Sequence, residues 1–408
     1  MSDSDRARRL AELIVRFGAN VQAGQIVSLS TEPGKEELTR AVARAAYRTG
    51  ARFVDTRYFD PHIKRARALY ADPDTLGYVP EWIGQNVLAL GEHRGAAISL
   101  NGTVEPQLMD GVDPERLGRD MLPRVRETER VVNERTVNWT VGPCPTVGWA
   151  ELVHPELRGQ AALDRLWQDI VHVCRLEEPD PVATWNARMD QLVEVTRRLD
   201  ALALDALRFS GPGTELTVGL LLSSRWRAAR FSTVDGIEHR PNLPTEEVFT
   251  SPDPSRTSGT VTSTKPLLVT GVLIEGLRVR FEEGRAVEIE ADRGAAALRS
   301  LAARDGGAAQ LGEVALVDAQ SRIGQLGRVF FDTLLDENAA SHIALGAGFD
   351  MAIDGEEDRA RLNRSDIHID FMIGSDKVSV TGITHDGQEV PLLRDGAWQF
   401  RGGAATLP

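Results

Sequence analysis

The stretch Asp366–Gly374, DIHIDFMIG, alternates apolar Ile367, Ile369 and Phe371 with polar Asp366, His368 and Asp370. That is the period of a β-strand, in which residues two apart share a face. His368 and Asp370 therefore point the same way, opposite an apolar face, as suits either a solvated surface or a metal ion. One His-x-Asp pair does not choose between these; three further stretches add weight. In Asn242–Pro252, NLPTEEVFTSP, adjacent Glu246 and Glu247 stand among prolines and apolar residues. Leu311–Val317, LGEVALV, holds Glu313 alone in an apolar run, where a carboxylate is costly unless something compensates it. Phe330–Phe349, FFDTLLDENAASHIALGAGF, sets Asn338 and His342 four apart, which predicts a shared helix face. Each residue alone has a plain structural alternative: a glutamate that caps a helix or pairs with arginine, a histidine satisfied in the core. Together they supply two histidines and at least three carboxylates, a donor set for one or two divalent ions of zinc type.

The rest of the composition narrows the chemistry by exclusion. With 408 residues, 42% hydrophobic and 26% charged, the chain has the make-up of a globular protein of two or three domains. Its formal charge of −13 argues against a nucleic-acid partner, which normally meets a basic surface. Cys144 and Cys174 are too few for a disulfide framework or a thiolate metal site, so any metal must use His, Asp and Glu. The start of the chain is charged from its third residue, without the apolar run of a signal peptide. No stretch nears the roughly 18 uninterrupted apolar residues of a membrane span. A cytoplasmic location is expected.

The elements that must position these residues fall into two kinds. Asp5–Phe17 has helical spacing, Gly24–Leu29 reads as a buried strand, Glu36–Arg48 as a helix and Arg52–Arg57 as a second strand, with Val87–Leu90 and Ala96–Leu100 extending the layer. Strand, helix, strand in that order predicts a parallel α/β layer. GANVQAG (18–24) precedes its strand, whereas a dinucleotide-binding loop follows one, so a Rossmann cofactor site is rejected. Asp113–Thr136 reads as a charged surface helix. Trp139, Pro143, Pro145 and Trp149 mark Asn138–Pro155 as an ordered loop packed on a core. Helical spacing returns over Asp164–Cys174 and Asn186–Leu204. From Leu207 hairpins take over: Leu207–Ser210 with Glu215–Val218, Leu277–Phe281 with Ala286–Glu290, and Lys377–Ile383 with Val390–Phe400. The expected fold is an N-terminal α/β domain over 1–195, then an α+β C-terminal metal-binding domain over 196–408 with a mixed or antiparallel sheet.

NLPTEEVFTSP (242–252), LGEVALVD (311–318), DTLLDENAASHIALG (332–346) and NRSDIHIDFMIG (363–374) resemble, in order and spacing, the successive motifs of the aminopeptidase T family of bacterial metallo-aminopeptidases. The N-terminal half resembles that family more diffusely, in LAELIVRFGANVQAGQIVSL (10–29) and VNWTVGPCPTVGWAELVHP (137–155). The resemblance implies hydrolysis of N-terminal peptide or small amide bonds by a water activated by one or two divalent ions (zinc, cobalt or manganese), in a homodimer acting on short peptides. It places the metal ligands on Glu247, Glu313, His342, His368 and Asp370, with Glu247 preferred to Glu246 by its spacing to Glu313. The family's tyrosine seven residues beyond the histidine of the third motif is here Phe349, which offers no oxygen and leaves one ion a ligand short.

Glu246, beside a ligand, is the candidate carrier of the proton to the leaving amine, although adjacent strand positions would send it to the opposite face. Asp336–Asn338 is the candidate reader of the free α-amino group, or else holds the helix end and orients His342. Two alternatives remain. His342, His368 and Asp370 also compose the set used by mononuclear Fe(II) dioxygenases, against which the retention of Glu247 and Glu313 argues. A non-catalytic, degenerate relative is the other, with Phe349 in its favour.

Overall fold

The computed structural model describes residues 3–120, 122–123 and 125–399. Its N-terminal region is built on a sheet of four parallel strands, in the order Phe53–Tyr58, Ile26–Thr31, Ala96–Asn101, Asn138–Pro143. The first helix, Asp3–Leu13, continues into a wider π turn over Ile14–Gly18, and its Leu10, Leu13 and Ile14 are fully buried. Helix Glu36–Thr49 opens on two glutamates, which favour the positive end of its dipole. It stops at Gly50, whose φ of 100° is the left-handed conformation that glycine adopts without steric cost.

Three expectations need correction here. Val87–Leu90 belongs to helix Glu81–Glu92 and not to a strand, since a four-residue apolar run carries no period of its own. Asp113–Thr136 contains two short helices, Pro114–Arg119 and Arg126–Asn133. Asn138–Pro143 is no loop: it forms the fourth strand, its proline comes last in the strand, and helix Val147–Val153 follows.

Helix Pro181–Ala201 runs through residue 195, so the change of architecture comes just after it, at strand Leu204–Gly211. Beyond that point the described strands form antiparallel sheets. One has eight strands and includes all three expected hairpins, with Phe400 outside the described residues. Two are two-stranded ribbons, and the remaining one has five strands, in the order His368–Met372, His342–Gly346, Leu311–Val317, Glu247–Thr250, Arg227–Ala228. Every residue of its three middle strands is buried, so both faces of this sheet are covered.

The two regions are interlocked. The backbone of 241–243 pairs alongside Val141, with Val141 N–H donating to Pro241 O (2.7 Å) and Leu243 N–H to Val141 O (3.0 Å). A segment from the second half thus extends the edge of the first sheet, and fully buried Leu243 anchors it in the shared core.

Candidate metal centre

The five-stranded sheet explains how residues far apart in the chain meet. Glu247 lies opposite Val317, His342 opposite Ala315, Glu313 opposite Ala344, and Asp370 opposite the same Ala344. His368 pairs with Gly346. Cross-strand partners share a face, as do residues two apart, so this register puts all five side chains on one face. Between them that face carries Ala315, Ala344 and Gly346, which leave room above the sheet.

His342 therefore does not sit on a helix with Asn338. Helix Thr333–Glu337 has ended, Asn338 follows it, and His342 opens a strand. Asn338 instead ties elements together: its Oδ1 accepts from Glu246 N–H (2.6 Å) and its Nδ2 donates to Leu334 O (2.8 Å). Asp336 accepts from Lys265 Nζ (3.2 Å) and Phe330 N–H (3.0 Å). Of the DEN stretch only Glu337 lines the same cavity as the five residues.

Three overlapping groups have donor atoms within 4.8 Å of one another: Glu247, Glu313 and His342; Glu313, His368 and Asp370; Glu337, His342 and Asp370. His368 Nε2 lies 3.0 Å from Glu313 Oε2 and 3.3 Å from Asp370 Oδ1, and His342 Nε2 lies 3.2 Å from Glu247 Oε2. The far nitrogen of each ring faces a carbonyl: His368 Nδ1 meets Ala347 O (2.8 Å), and His342 Nδ1 meets Ala340 O (3.2 Å). A carbonyl only accepts, so Nδ1 carries the hydrogen and Nε2 can turn a lone pair to the cluster. Glu247 Oε2 and Asp370 Oδ1 are shut off from water and, despite those short distances, have no aligned hydrogen-bond donor. Buried, orphaned carboxylate oxygens beside two imidazole Nε2 atoms suit a divalent cation of mixed N and O preference.

The electrostatics agree. Burial disfavours charge on both imidazoles, yet Glu247, with Glu313 and Asp370 behind it, lifts His342 to about 9. Asp370 and Glu313 hold His368 well above its usual range. Burial pushes Glu313 up, and it pushes Glu337 far up with the added repulsion of Glu247, Asp370 and Glu313. Four carboxylates crowded this closely call for positive charge among them.

Glu246 is a correction to the sequence reading. It turns to the other side of the sheet, where Arg175 Nη2 (3.0 Å) and Arg188 Nε (2.6 Å) donate to its two oxygens, and it is 1% exposed. It does not reach the cavity. Phe349 does: its ring centroid lies 5.0 Å from that of His368 and 5.3 Å from that of Phe249. Sequence reasoning missed Glu337 as a member of the cluster. Its signal was present, an acidic residue five before His342, but it was pooled with Asp336 and Asn338.

The cavity measures about 1650 Å³ and reaches from the centre to the carboxyl ends of the parallel strands, at Ser30, Tyr58 and Asn101. Behind its wall, Asp332 Oδ1 is shielded from water and lacks a hydrogen-bond partner. Burial, and then Asp336, push its carboxyl up to about 7. The folded protein thus holds this proton more tightly than the unfolded chain, and stability falls as pH rises from the unfolded value to about 7. Asp332→Asn is expected to remove that decline, stabilising metal-free protein by roughly 2–4 kcal/mol above neutrality and by nothing at acid pH. Melting temperatures of both proteins across that range check it; a constant difference would refute it.

Comparisons place this geometry in a known setting. The family described as thermophilic metalloprotease (M29) matches residues 3–398. Aminopeptidase T of Thermus aquaticus is 41% identical over 404 residues, 97% of this chain and 98% of that protein. Aminopeptidase PepS of Streptococcus thermophilus is 37% identical over 405 residues, with 97% and 98% covered. The structure of wild-type AmpT from Thermus thermophilus matches with a TM-score of 0.87 at 38% identity, covering 97% of this chain and 100% of that one. With the family match spanning nearly all its length and relatives this similar end to end, the chain belongs to the M29 family of metalloproteases.

Proposed function

We propose that the protein is a metal-dependent aminopeptidase that removes the N-terminal residue of short peptides. The observation that carries this is the convergence, on one face of one sheet, of Glu247, Glu313, His342, His368 and Asp370, two of them with orphaned oxygens. Family membership and relatives named as aminopeptidases support it. The mononuclear iron alternative has no support among those relatives, and Glu247 and Glu313 stand in the cluster with the three residues it would use.

Two ions fit the donor set better than one. Glu247, Glu313 and His342 would hold the first, Glu313, His368 and Asp370 the second, with Glu313 shared; zinc, cobalt and manganese all accept such N and O ligands. Ions held there would supply an acidified water and a Lewis acid for the scissile carbonyl. Glu337 takes over the proton role once assigned to Glu246. Its Oε1 accepts from Asn242 Nδ2 (2.9 Å), which leaves Oε2 to carry a proton to the leaving amine. The acidic cluster itself attracts the substrate's α-ammonium group. Phe349, packed against His368, adds no ligand, so Glu313, His368 and Asp370 alone would hold an ion there.

Further features support finer points. Cys144 and Cys174 are free and buried, as befits a reducing compartment such as the cytoplasm, and no helix among the described residues is long and apolar enough to cross a membrane. Helix Glu81–Glu92 is apolar, yet only its Gly84 and Gly91 are buried, and Trp82 is 64% exposed. Trp82, Ile83, Val87 and Leu90 of this helix line the cavity, so the apolar face belongs to the site.

Protein purified from zinc-, cobalt- or manganese-supplemented medium is expected to carry about two ions per chain and to release the first residue of di- and tripeptides but not of their N-acetylated forms. Absence of bound metal, together with intact peptides, would refute the function.

A further inference from the structure

We propose that Asn242 is a positioning residue: its side-chain amide aims Glu337, and its backbone, seated on the N-terminal sheet, makes that aim depend on the contact between the two halves of the molecule. The inference rests on the metallo-aminopeptidase reading above and adds a residue to it.

The argument starts from the bond. Asn242 Nδ2 donates to Glu337 Oε1 at 2.9 Å, and both residues line the cavity. A carboxylate has two equivalent oxygens and a freely turning terminal torsion, so without a fixed donor Glu337 has no preferred rotation. The amide fixes Oε1, and the same carboxylate offers an oxygen within 4.8 Å of donor atoms of His342 and Asp370, so the bond sets how the group meets the cluster. An amide can serve here where a carboxylate cannot. Glu337 already faces Glu247, Asp370 and Glu313, and an acidic side chain at 242 would add repulsion and supply no donor.

The donor is itself held from outside the five-stranded sheet. Residues on both sides of Asn242 bond to Val141, in the last strand of the parallel sheet. Arg240 N–H donates to Gly18 O (2.7 Å), and Asn20 Nδ2 donates to Glu238 O (2.7 Å). The segment 238–243 therefore moves with the N-terminal region, while Glu337 belongs to the short helix Thr333–Glu337 of the other half. The bond from Asn242 to Glu337 crosses from one to the other within the cavity. Asn338, next in the chain, makes a second tie to Glu246 N–H, but that one stays behind the cavity wall. Trp149 Nε1 also ties the N-terminal region to Phe330 O, just ahead of that helix, but the bond that reaches the Glu337 carboxylate itself comes from the Asn242 amide.

The test uses full-length, metal-loaded enzyme and four proteins: wild type, Asn242→Ala, Glu337→Gln and the double variant, with Asn242→Asp as an isosteric companion. The backbone bonds at 241 and 243 do not involve the side chain, so folding is expected to survive, checked by melting temperature and by bound metal per chain. Asn242→Ala is expected to lower kcat about 10- to 100-fold, the range for residues that orient a catalytic group, with KM and metal content unchanged. Asn242→Asp should lose at least as much despite its matching shape. In the Glu337→Gln background the alanine change should cost nothing more, because a residue acting through another has no effect once that other is gone.

A full multiplicative loss in the double variant overturns the proposal. So does a loss confined to KM, or wild-type kcat in both position-242 variants. Wild-type protein that binds metal but cleaves no peptide overturns the function, and this role with it. Active wild type with unaffected variants overturns only Asn242.

Discussion

Glu313→Gln is expected to empty the metal centre and to lower kcat/KM at least about a thousandfold, the equivalent of roughly 4 kcal/mol of transition-state stabilisation. The size of the effect comes from position. Glu313 is the only residue in both the group with Glu247 and His342 and the group with His368 and Asp370. It stands on the central strand of the five-stranded sheet, between the strand of Glu247 and those of His342, His368 and Asp370, with Ala344 opposite. The amide keeps the shape but loses the charge and one acceptor oxygen, so both groups weaken together. A peripheral ligand such as Glu247 enters only one group, and Glu247→Gln should spare more bound metal.

The same change has an opposite consequence without metal. Glu313 is fully enclosed, and burial pushes its carboxyl above the usual range, which is a cost to the metal-free fold. Metal-free Glu313→Gln should therefore melt no lower than wild type, while the rise in melting temperature on adding zinc, large for wild type, should nearly vanish. Elemental analysis, melting curves with and without metal, and peptide hydrolysis measure the three effects. Wild-type metal content in the variant would remove Glu313 from the centre and undo the shared-ligand arrangement.

What the sequence conveyed and what it withheld follow a physical line. DIHIDFMIG announced its strand because one buried face and one functional face impose a two-residue period, and His368 and Asp370 fall on the functional one. The face shared by Glu313, His342 and Glu247 was not legible from pattern. Their strands are buried throughout, so the alternation that marks a one-sided strand is absent. Only likeness to known motifs joined them. His342 was assigned to a helix because it lies four residues from Asn338; the chain leaves the helix at Asn338, whose side-chain bonds secure the exit. Val87–Leu90 and Asn138–Pro143 failed in mirror image, a helix read as a strand from four apolar residues and a strand read as a loop from its proline and tryptophan. Pairing with Ala96–Asn101 decided the second, and pairing is not a local property.

Glu246 is where that non-local character has its largest measurable consequence. By sequence it adjoins a metal ligand; in space it closes a buried triad with two arginines from the preceding helical region. Arg175 and Arg188 have side chains 9% and 8% exposed. Burial already pulls the Arg175 guanidinium below its usual range against the attraction of Glu246, and it stacks over Trp185, 4.9 Å away. Glu246→Ala would strand two buried cations, so the expected loss is about 3–5 kcal/mol of stability, read as a lower denaturation midpoint. Removing all three charges together, with Glu246, Arg175 and Arg188 each replaced by methionine, should recover much of that loss, because the desolvation cost goes with the charges. A proton carrier would behave otherwise: Glu246→Gln would keep the midpoint and abolish turnover. The arrangement predicts the reverse for Glu246→Gln, with a lowered midpoint and kcat per folded molecule close to wild type. The pair of measurements, denaturation midpoint and active-fraction-corrected kcat, separates a structural anion from a catalytic one by opposite signs.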